Sequence, residues 1–124
     1  MMKQLKRSEC AILPLVLKSK WYDMIASGEK KEEYREFKQH WMTRIINWRE
    51  SFFVNYKDFM VIEFRLGYQK DAPRMAFECE EVWSPDRCGL WHHGSRDVFH
   101  PEWGEPANAH FVIRLGGRVE LEPS

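Results

Sequence analysis

The chain has only three cysteines and no long apolar run. Many cysteines are typical of small secreted proteins, and long apolar runs are typical of membrane-spanning proteins. Its 124 residues include three cysteines, Cys10, Cys79 and Cys88, an odd number without a CxxC spacing. This argues against a disulfide framework, predicts free thiols and fits a reducing compartment. No run approaches the roughly 18 apolar residues that span a bilayer, and residues 1–7 lack the apolar segment of a secretory signal. We therefore expect a cytoplasmic protein that makes no contact with a membrane.

The net charge of the chain is zero, since 19 basic residues balance 19 acidic ones. The strongly basic balance of many nucleic-acid-binding proteins is therefore missing. The two signs are unevenly distributed along the chain. Residues 1–60 contain 12 Lys and Arg against 8 Asp and Glu, whereas residues 61–124 contain 7 against 11, giving net charges of +4 and −4. A basic face contributed by the first half is compatible with this composition.

Apolar and aromatic residues are plentiful, at 44% and 15% of the chain, with six tryptophans. A chain of this length and composition can bury a single core without disulfides or metals. We predict an N-terminal extension over residues 1–10, one domain over residues 11–121 and a C-terminal tail over residues 122–124. We see no internal repeat or linker.

The first elements follow from the spacing of apolar residues. Residues 11–17 form a short apolar run typical of a buried strand, and Pro14 places this strand at an edge or a bulge. Ser19 is expected to cap a helix whose apolar stripe contains Trp21, Met24 and Ile25. Gly28 fits the position just after a helix, where a left-handed backbone is needed.

A charged motif follows this glycine, with Lys30, Glu33 and Arg35 at offsets of two, five and seven residues. If residues 30–36 are extended, side chains alternate between two faces. Lys30 then points to one face, and Glu33 and Arg35 are neighbours on the other.

A second helix is predicted over residues 37–49, because apolar residues recur at Trp41, Ile45 and Trp48. Trp21, Trp41 and Trp48 are accordingly predicted core residues. Residues 59–66 and 75–83 are rich in β-branched and aromatic types, which predicts an antiparallel pair of strands joined by a hairpin loop.

The rest of the chain is predicted as a long irregular loop and a closing strand. Residues 84–109 show no regular period, and a loop of this length is often functional. Residues 110–115 predict a strand that Gly116 and Gly117 end, before a last short segment over residues 118–121. Together these elements predict an α+β fold of five to six mostly antiparallel strands with two or more helices. Composition and periodicity allow a small closed barrel or an open sheet.

The motif G-x-K-x-x-E-x-R after a short amphipathic helix resembles the signature of the ASCH superfamily, whose members have a PUA-like β-barrel fold. Residues 15–28 are similar to the family's opening strand and helix. Residues 103–104 and 110–116 are similar to its closing strand. The resemblance covers roughly residues 12–117. It implies a barrel with helices packed at its ends.

The resemblance also implies a ligand site, because in the family the residues matching Lys30, Glu33 and Arg35 line a cleft. Lys30 would offer a compact cation to a phosphate or carboxylate, and Arg35 a planar fork to a phosphate or to Glu33. The leading hypothesis is a domain that binds RNA or a nucleoside- or nucleotide-like ligand, with no cofactor. Alternatively, Lys30, Glu33 and Arg35 form an ion pair on a solvated strand face, which contributes at most about 1 kcal/mol to the stability of the fold.

A small hydrolase is the alternative function, with Lys30 and Glu33 as tentative catalytic residues. Some family members are amidohydrolases of acylated cytidine nucleosides, in which the matching lysine assists a threonine nucleophile, and others resemble ribonucleases. That threonine corresponds to Glu33, and Thr43, the only threonine of the chain, lies in the predicted second helix. The acidic partner of those enzymes would be one of four residues in the long loop: Asp86, Asp97, Glu102 or Glu105.

The long loop supplies further candidates. His100 could act as an acid, a base or a phosphate contact, and Trp103 is a candidate ligand contact beside it. Cys88 and His92 have a spacing that superficially suggests a metal site, but a second nearby cysteine is missing and we predict no metal. A third reading, suited to the neutral charge, is an adaptor domain that binds a protein partner.

Overall fold

The computed structural model of the protein describes residues 2–36, 38–84 and 110–122. Two α-helices, one 3-10 helix and eight strands lie among these residues. In chain order they are β1 (Lys3–Lys6), a 3-10 helix (Arg7–Glu9), β2 (Ile12–Leu17), α1 (Ser19–Ala26), β3 (Glu32–Glu36), α2 (Gln39–Ile45), β4 (Ile46–Arg49), β5 (Phe52–Tyr56), β6 (Val61–Leu66), β7 (Arg74–Trp83) and β8 (His110–Glu122). The predicted α+β class is confirmed.

Six of the described strands form one mixed sheet, in the order β1-β8-β7-β6-β2, with β3 also paired to β8. β1 runs parallel to β8, and β2 runs parallel to β6. β6 and β7 are antiparallel, as predicted. β1 lies in the segment that the sequence analysis treated as an N-terminal extension, where the pattern predicted no strand.

The chain divides into two compact units. The first contains Met1–Glu32, Asp58–Glu80 and Arg114–Ser124, and therefore β1, β2, α1, β6 and the larger parts of β7 and β8. The second contains Glu33–Lys57 and Glu81–Ile113, and therefore α2, β4 and β5.

The core of the first unit is built around β6. Val61, Ile62 and Phe64 are fully buried, so this strand is covered on both faces, as continuous apolar strands are in sheets with parallel pairing. β2 alternates instead: its three leucines are buried and Pro14 is exposed. β2 is the last strand of the sheet path, which confirms the predicted edge position of Pro14.

The second unit has its own buried cluster. Trp83 and Val112 are buried and pack with the half-buried Tyr34 and Tyr56. The ring of Phe53 meets that of Tyr56 edge-on, with centroids 5.2 Å apart. Aromatic pairs of this geometry add to the stabilisation that burial provides.

The predicted second helix is too long. α2 ends at Ile45, and Ile46–Arg49 is β4, which pairs with β5 from Ile46 opposite Tyr56 to Arg49 opposite Phe52. Pairing with β5 prevails over the helical period, because Ile46 and Trp48 also suit a strand. Trp48 is 42% exposed, so its predicted place in the core is wrong, while Trp21 and Trp41 are half-buried.

Two boundary predictions are also corrected. β8 continues through Gly116 and Gly117 instead of ending there. A Cβ on Gly116 would lie 3.2 Å from Cγ of Glu80 and 3.3 Å from Cβ of Glu78, so this glycine permits close approach to β7. Ser19 is the first helical residue of α1, and the N-cap is Lys18, which forms no side-chain capping bond.

Neither of the two cysteines among the described residues, Cys10 and Cys79, is in a disulfide, as predicted. Cys88 lies outside the described residues.

A partly buried ion pair connects the 3-10 helix to the centre of the sheet. Arg7 donates from Nη1 and Nη2 to the two carboxylate oxygens of Glu63, at 3.0 and 2.7 Å. Glu63 is on β6 and is 8% exposed. These hydrogen bonds lower the pKa of the Glu63 carboxyl below its usual range and raise the pKa of Arg7. Bidentate pairing of this kind offsets the cost of placing a carboxylate inside a sheet.

Glu63→Gln should destabilise the protein at pH 7 by about 2 kcal/mol, since it leaves Arg7 without its charged partner. A carboxyl with a lowered pKa contributes stability above its unfolded pKa and loses that contribution as the pH falls through its folded pKa. The difference between the wild type and the variant should therefore shrink below about pH 4. Urea unfolding at pH 7 and pH 3 measures both values.

The matched control is Glu78→Gln, which removes an exposed ion pair to Lys3 with side chains 45% and 61% exposed. We expect a change within about 0.5 kcal/mol for this pair. A Glu63→Gln penalty that is equally large at pH 3 would contradict the role of the ionised carboxylate.

Candidate functional site

The site begins at the end of α1, where Gly28 adopts φ +84°. The Gly28 N–H donates to the carbonyl of Ile25 at 3.1 Å, and the Lys30 N–H donates to the carbonyl of Met24 at 3.0 Å. These two bonds satisfy carbonyls that the last helical turn leaves unpaired. The predicted helix stop at Gly28 is confirmed, and it positions Lys30 against the end of the helix.

Lys30 is buried in the first unit, at 3% exposure. Its Nζ donates to the backbone carbonyl of Glu32 and lies 5.6 Å from the centre of the Trp21 ring. The Nζ of Lys20 lies 4.7 Å from the centre of the same ring. Contacts with a carbonyl and with the face of an indole are those that stabilise an ammonium group removed from water.

The carbonyl that accepts from Lys30 belongs to a segment held in place by β8. Glu32 Oε2 accepts from Nη2 and Nε of Arg114, at 3.0 and 3.2 Å. The Leu115 N–H donates to the Lys31 carbonyl at 2.9 Å. The backbone around Lys30 is therefore tied to the sheet on one side and to α1 on the other.

A cavity of about 230 Å³ lies beside Lys30. All of its walls come from the first unit: Ile25, Gly28, Lys30, Lys31, Phe77, Glu80, Leu115 and Gly116. The lining residues include three apolar ones, two lysines and one glutamate. Such a mixture, mostly apolar with a few charged groups, is typical of small-ligand sites.

Phe77, Glu80 and Leu115 line the cavity but were not predicted as site residues. They come from β7 and β8, which are distant in sequence from the charged motif, so only strand pairing brings them to Lys30. The one sequence signal was Gly116, which was read as a strand end and instead marks the close approach of the two strands.

Glu33 and Arg35 belong to the second unit. Arg35 Nη2 lies 3.0 Å from Oε2 of Glu33, and the guanidinium carbon lies 5.1 Å from the centre of the Trp41 ring. The predicted same-face pair on β3 is confirmed. Lys30 precedes β3, which begins at Glu32, so the strand alternation proposed for it does not apply.

The other predicted site residues, His100 and Trp103, lie outside the described residues. So do Cys88, His92 and the four candidate acids of the loop. Within the described parts of the chain, no group of three or more His, Cys, Asp or Glu is arranged to hold a metal ion. No described helix is both long enough and apolar enough to cross a membrane.

No protein-family model, no curated protein and no solved structure matches the chain.

Gly28→Ala should lower the free energy of unfolding by about 1 kcal/mol, because a side chain penalises the left-handed conformation. No atom lies within 4 Å of the added Cβ, so the cost is conformational and not steric. Gly28→Asn should cost less, since asparagine tolerates this conformation better. Thermal and urea unfolding measure both variants.

Gly117→Ala is the matched control, because its added Cβ would lie at an ordinary 3.5 Å from Oε1 of Glu78 and its backbone is not left-handed. It should not destabilise the protein. Equal stability of Gly28→Ala and the wild type would contradict the assigned helix stop.

Proposed function

We propose that this protein binds RNA or a nucleotide-like ligand, with Lys30 as the central contact. The observation that carries the proposal is a lysine that is 3% exposed yet lines a cavity. Its Nζ donates to the Glu32 carbonyl, and an ammonium group at a cavity wall has further donor capacity for a ligand phosphate or carboxylate.

The cavity chemistry supports a ligand with both a charged and an apolar part. Lys30 is a compact cation suited to a phosphate or carboxylate. Phe77, Ile25 and Leu115 offer apolar surface for a base. At about 230 Å³ the cavity is smaller than the 300–1,000 Å³ or so of sites for drug-sized molecules, so it accepts one group of a ligand and not a whole nucleotide.

The family proposal is an ASCH domain whose sheet closes as a PUA-like barrel. The strand, the helix, the glycine stop and the lysine two residues later support it, as does the mixed sheet of six strands. Under this proposal Glu33, Arg35, His100 and Trp103 add ligand contacts. The family assignment and these ligand contacts rest on an analogy of fold and motif.

A hydrolase is the second candidate, favoured by the presence of Glu80 and Lys30 around one cavity. A carboxylate could activate a water molecule while the lysine stabilises the developing negative charge. This scheme would replace the missing threonine nucleophile and assign to Glu80 a catalytic part that the sequence analysis gave to Glu33.

Lys30→Met keeps the length of the side chain and removes its charge, which avoids the void that alanine would leave. We expect binding of nucleoside monophosphates and short RNAs to weaken about tenfold, the cost of one charge-assisted hydrogen bond. Titration calorimetry measures binding. Chromatography of the same mixtures, with acylated nucleosides included, detects any product.

Lys20→Met is the control, because Lys20 contacts the same Trp21 ring but does not line the cavity. It should bind like the wild type. Binding without product supports the recognition domain, and product that disappears in Lys30→Met supports the hydrolase. Unchanged binding in Lys30→Met, with no product from any protein, would overturn both.

A further inference from the structure

The β4–β5 hairpin of the second unit presents a face that the buried cluster does not use. Its strands form a two-stranded sheet of their own among the described residues. Ile46 is buried, and Phe53 and Tyr56 are half-buried. These residues occupy one side of the hairpin, which leaves the other side to the solvent.

Strand register identifies the residues of that other side. Asn47 lies opposite Asn55, and Arg49 lies opposite Phe52. Residues directly opposite each other in an antiparallel pair share a face, and so do Asn47 and Arg49, which are two apart in β4. The register shifts between Asn47 and Trp48, so β5 has one extra residue, Val54, and Asn55 lies on the same face as Phe52 although they are three residues apart. We call Asn47, Arg49, Phe52 and Asn55 the hairpin face. All four are exposed, and Phe52 is 71% exposed.

The two asparagines form an ordered amide pair. Nδ2 of Asn47 donates to Oδ1 of Asn55 at 2.8 Å. An amide carries two donors and an acceptor with two lone pairs, so this single bond leaves each side chain with further hydrogen-bonding capacity. The hairpin face thus places an aromatic ring, a guanidinium group and two oriented amides side by side.

The hairpin strands carry a cation and no acid, since Arg49 is the one charged residue of β4 and β5. The contiguous segment of the second unit that contains the hairpin, residues 33–57, has five Lys and Arg against three Glu, a net charge of +2 in a chain whose overall charge is zero. Such cations suit a phosphate backbone, whereas a protein partner that binds an apolar surface does not require them.

We propose that the hairpin face binds single-stranded nucleic acid. An unpaired base stacks on the Phe52 ring, the amides of Asn47 and Asn55 form hydrogen bonds with base edges, and Arg49 contacts a phosphate. Exposed aromatic rings beside cations are how proteins bind unpaired strands. All residues of the hairpin face belong to the second unit, and binding there does not require the Lys30 cavity.

The probes are fluorescein-labelled 12-nucleotide strands of oligo(A) and oligo(U), as RNA and as DNA, and the 12-base-pair RNA duplex. Fluorescence anisotropy is measured between 50 and 200 mM KCl. Phe52→Leu keeps an apolar side chain but removes the ring, so it should weaken single-strand binding about tenfold. Phe52→Tyr retains a stacking ring and should bind within about twofold of the wild type.

Arg49→Gln should reduce the slope of log K against log salt by about 0.7, the contribution of one phosphate contact on a single strand. Tyr68→Leu is the control, because Tyr68 is an 84% exposed aromatic residue outside the hairpin, and its binding should be unchanged. All four substitutions are at exposed positions, so melting temperatures should match the wild type and show that each variant is folded.

Loss of binding in Phe52→Leu but not in Tyr68→Leu or Phe52→Tyr would establish the hairpin face, whether RNA and DNA bind equally or one is preferred. The proposal is overturned if the wild type does not bind single strands, if it binds the duplex equally well, or if Phe52→Leu binds like the wild type. Lys30→Met in the same assay separates the two proposals: retained binding there, with loss in Phe52→Leu, would leave the hairpin face standing and count against RNA binding at Lys30.

Discussion

Burial of β6 on both faces is the constraint on which the first unit depends. A strand whose consecutive residues are removed from water requires partners along both edges and cover on both sides. β2 supplies the parallel edge and β7 the antiparallel edge. The same burial includes Glu63, whose charge would be costly there without Arg7. The N-terminal residues are therefore part of this unit's electrostatics and not a loose extension.

The candidate site follows from the way α1 ends against this sheet. Gly28 reverses the chain at low conformational cost, and the next residues form bonds to both the helix end and β8. Lys30 is thereby buried between a carbonyl and an indole ring, beside a cavity. A charged group held in this way is pre-organised for an anion, since ordering it requires no further loss of side-chain freedom on binding.

The charged groups of the second unit are arranged differently from Lys30 of the first unit. Glu33 and Arg35 pair with each other, and Arg35 also lies over Trp41, so their charges are largely balanced within the unit. The exposed Phe52 ring and the Arg49 guanidinium are instead on the hairpin face, where they are compatible with an unpaired strand of nucleic acid. The charged motif and the hairpin, which are close in sequence, therefore present different chemical groups.

The sequence pattern alone predicted the strands and turns whose characteristic residues lie within one segment of the chain. The β2 strand with Pro14 at an edge, the glycine after α1 and the β6–β7 hairpin were all predicted, because side-chain pattern and backbone conformation are properties of neighbouring residues. The same holds for the Glu33–Arg35 pair, two residues apart on one strand.

Tertiary structure decided the rest. β4 replaced the end of a predicted helix because its pairing with β5 outweighs an apolar spacing shared by both conformations. β8 continued through two glycines because β7 approaches there, and Glu80 lines the same cavity as Lys30 because strands distant in sequence became neighbours in space. These outcomes depend on free energies of contacts between segments, which no single segment contains.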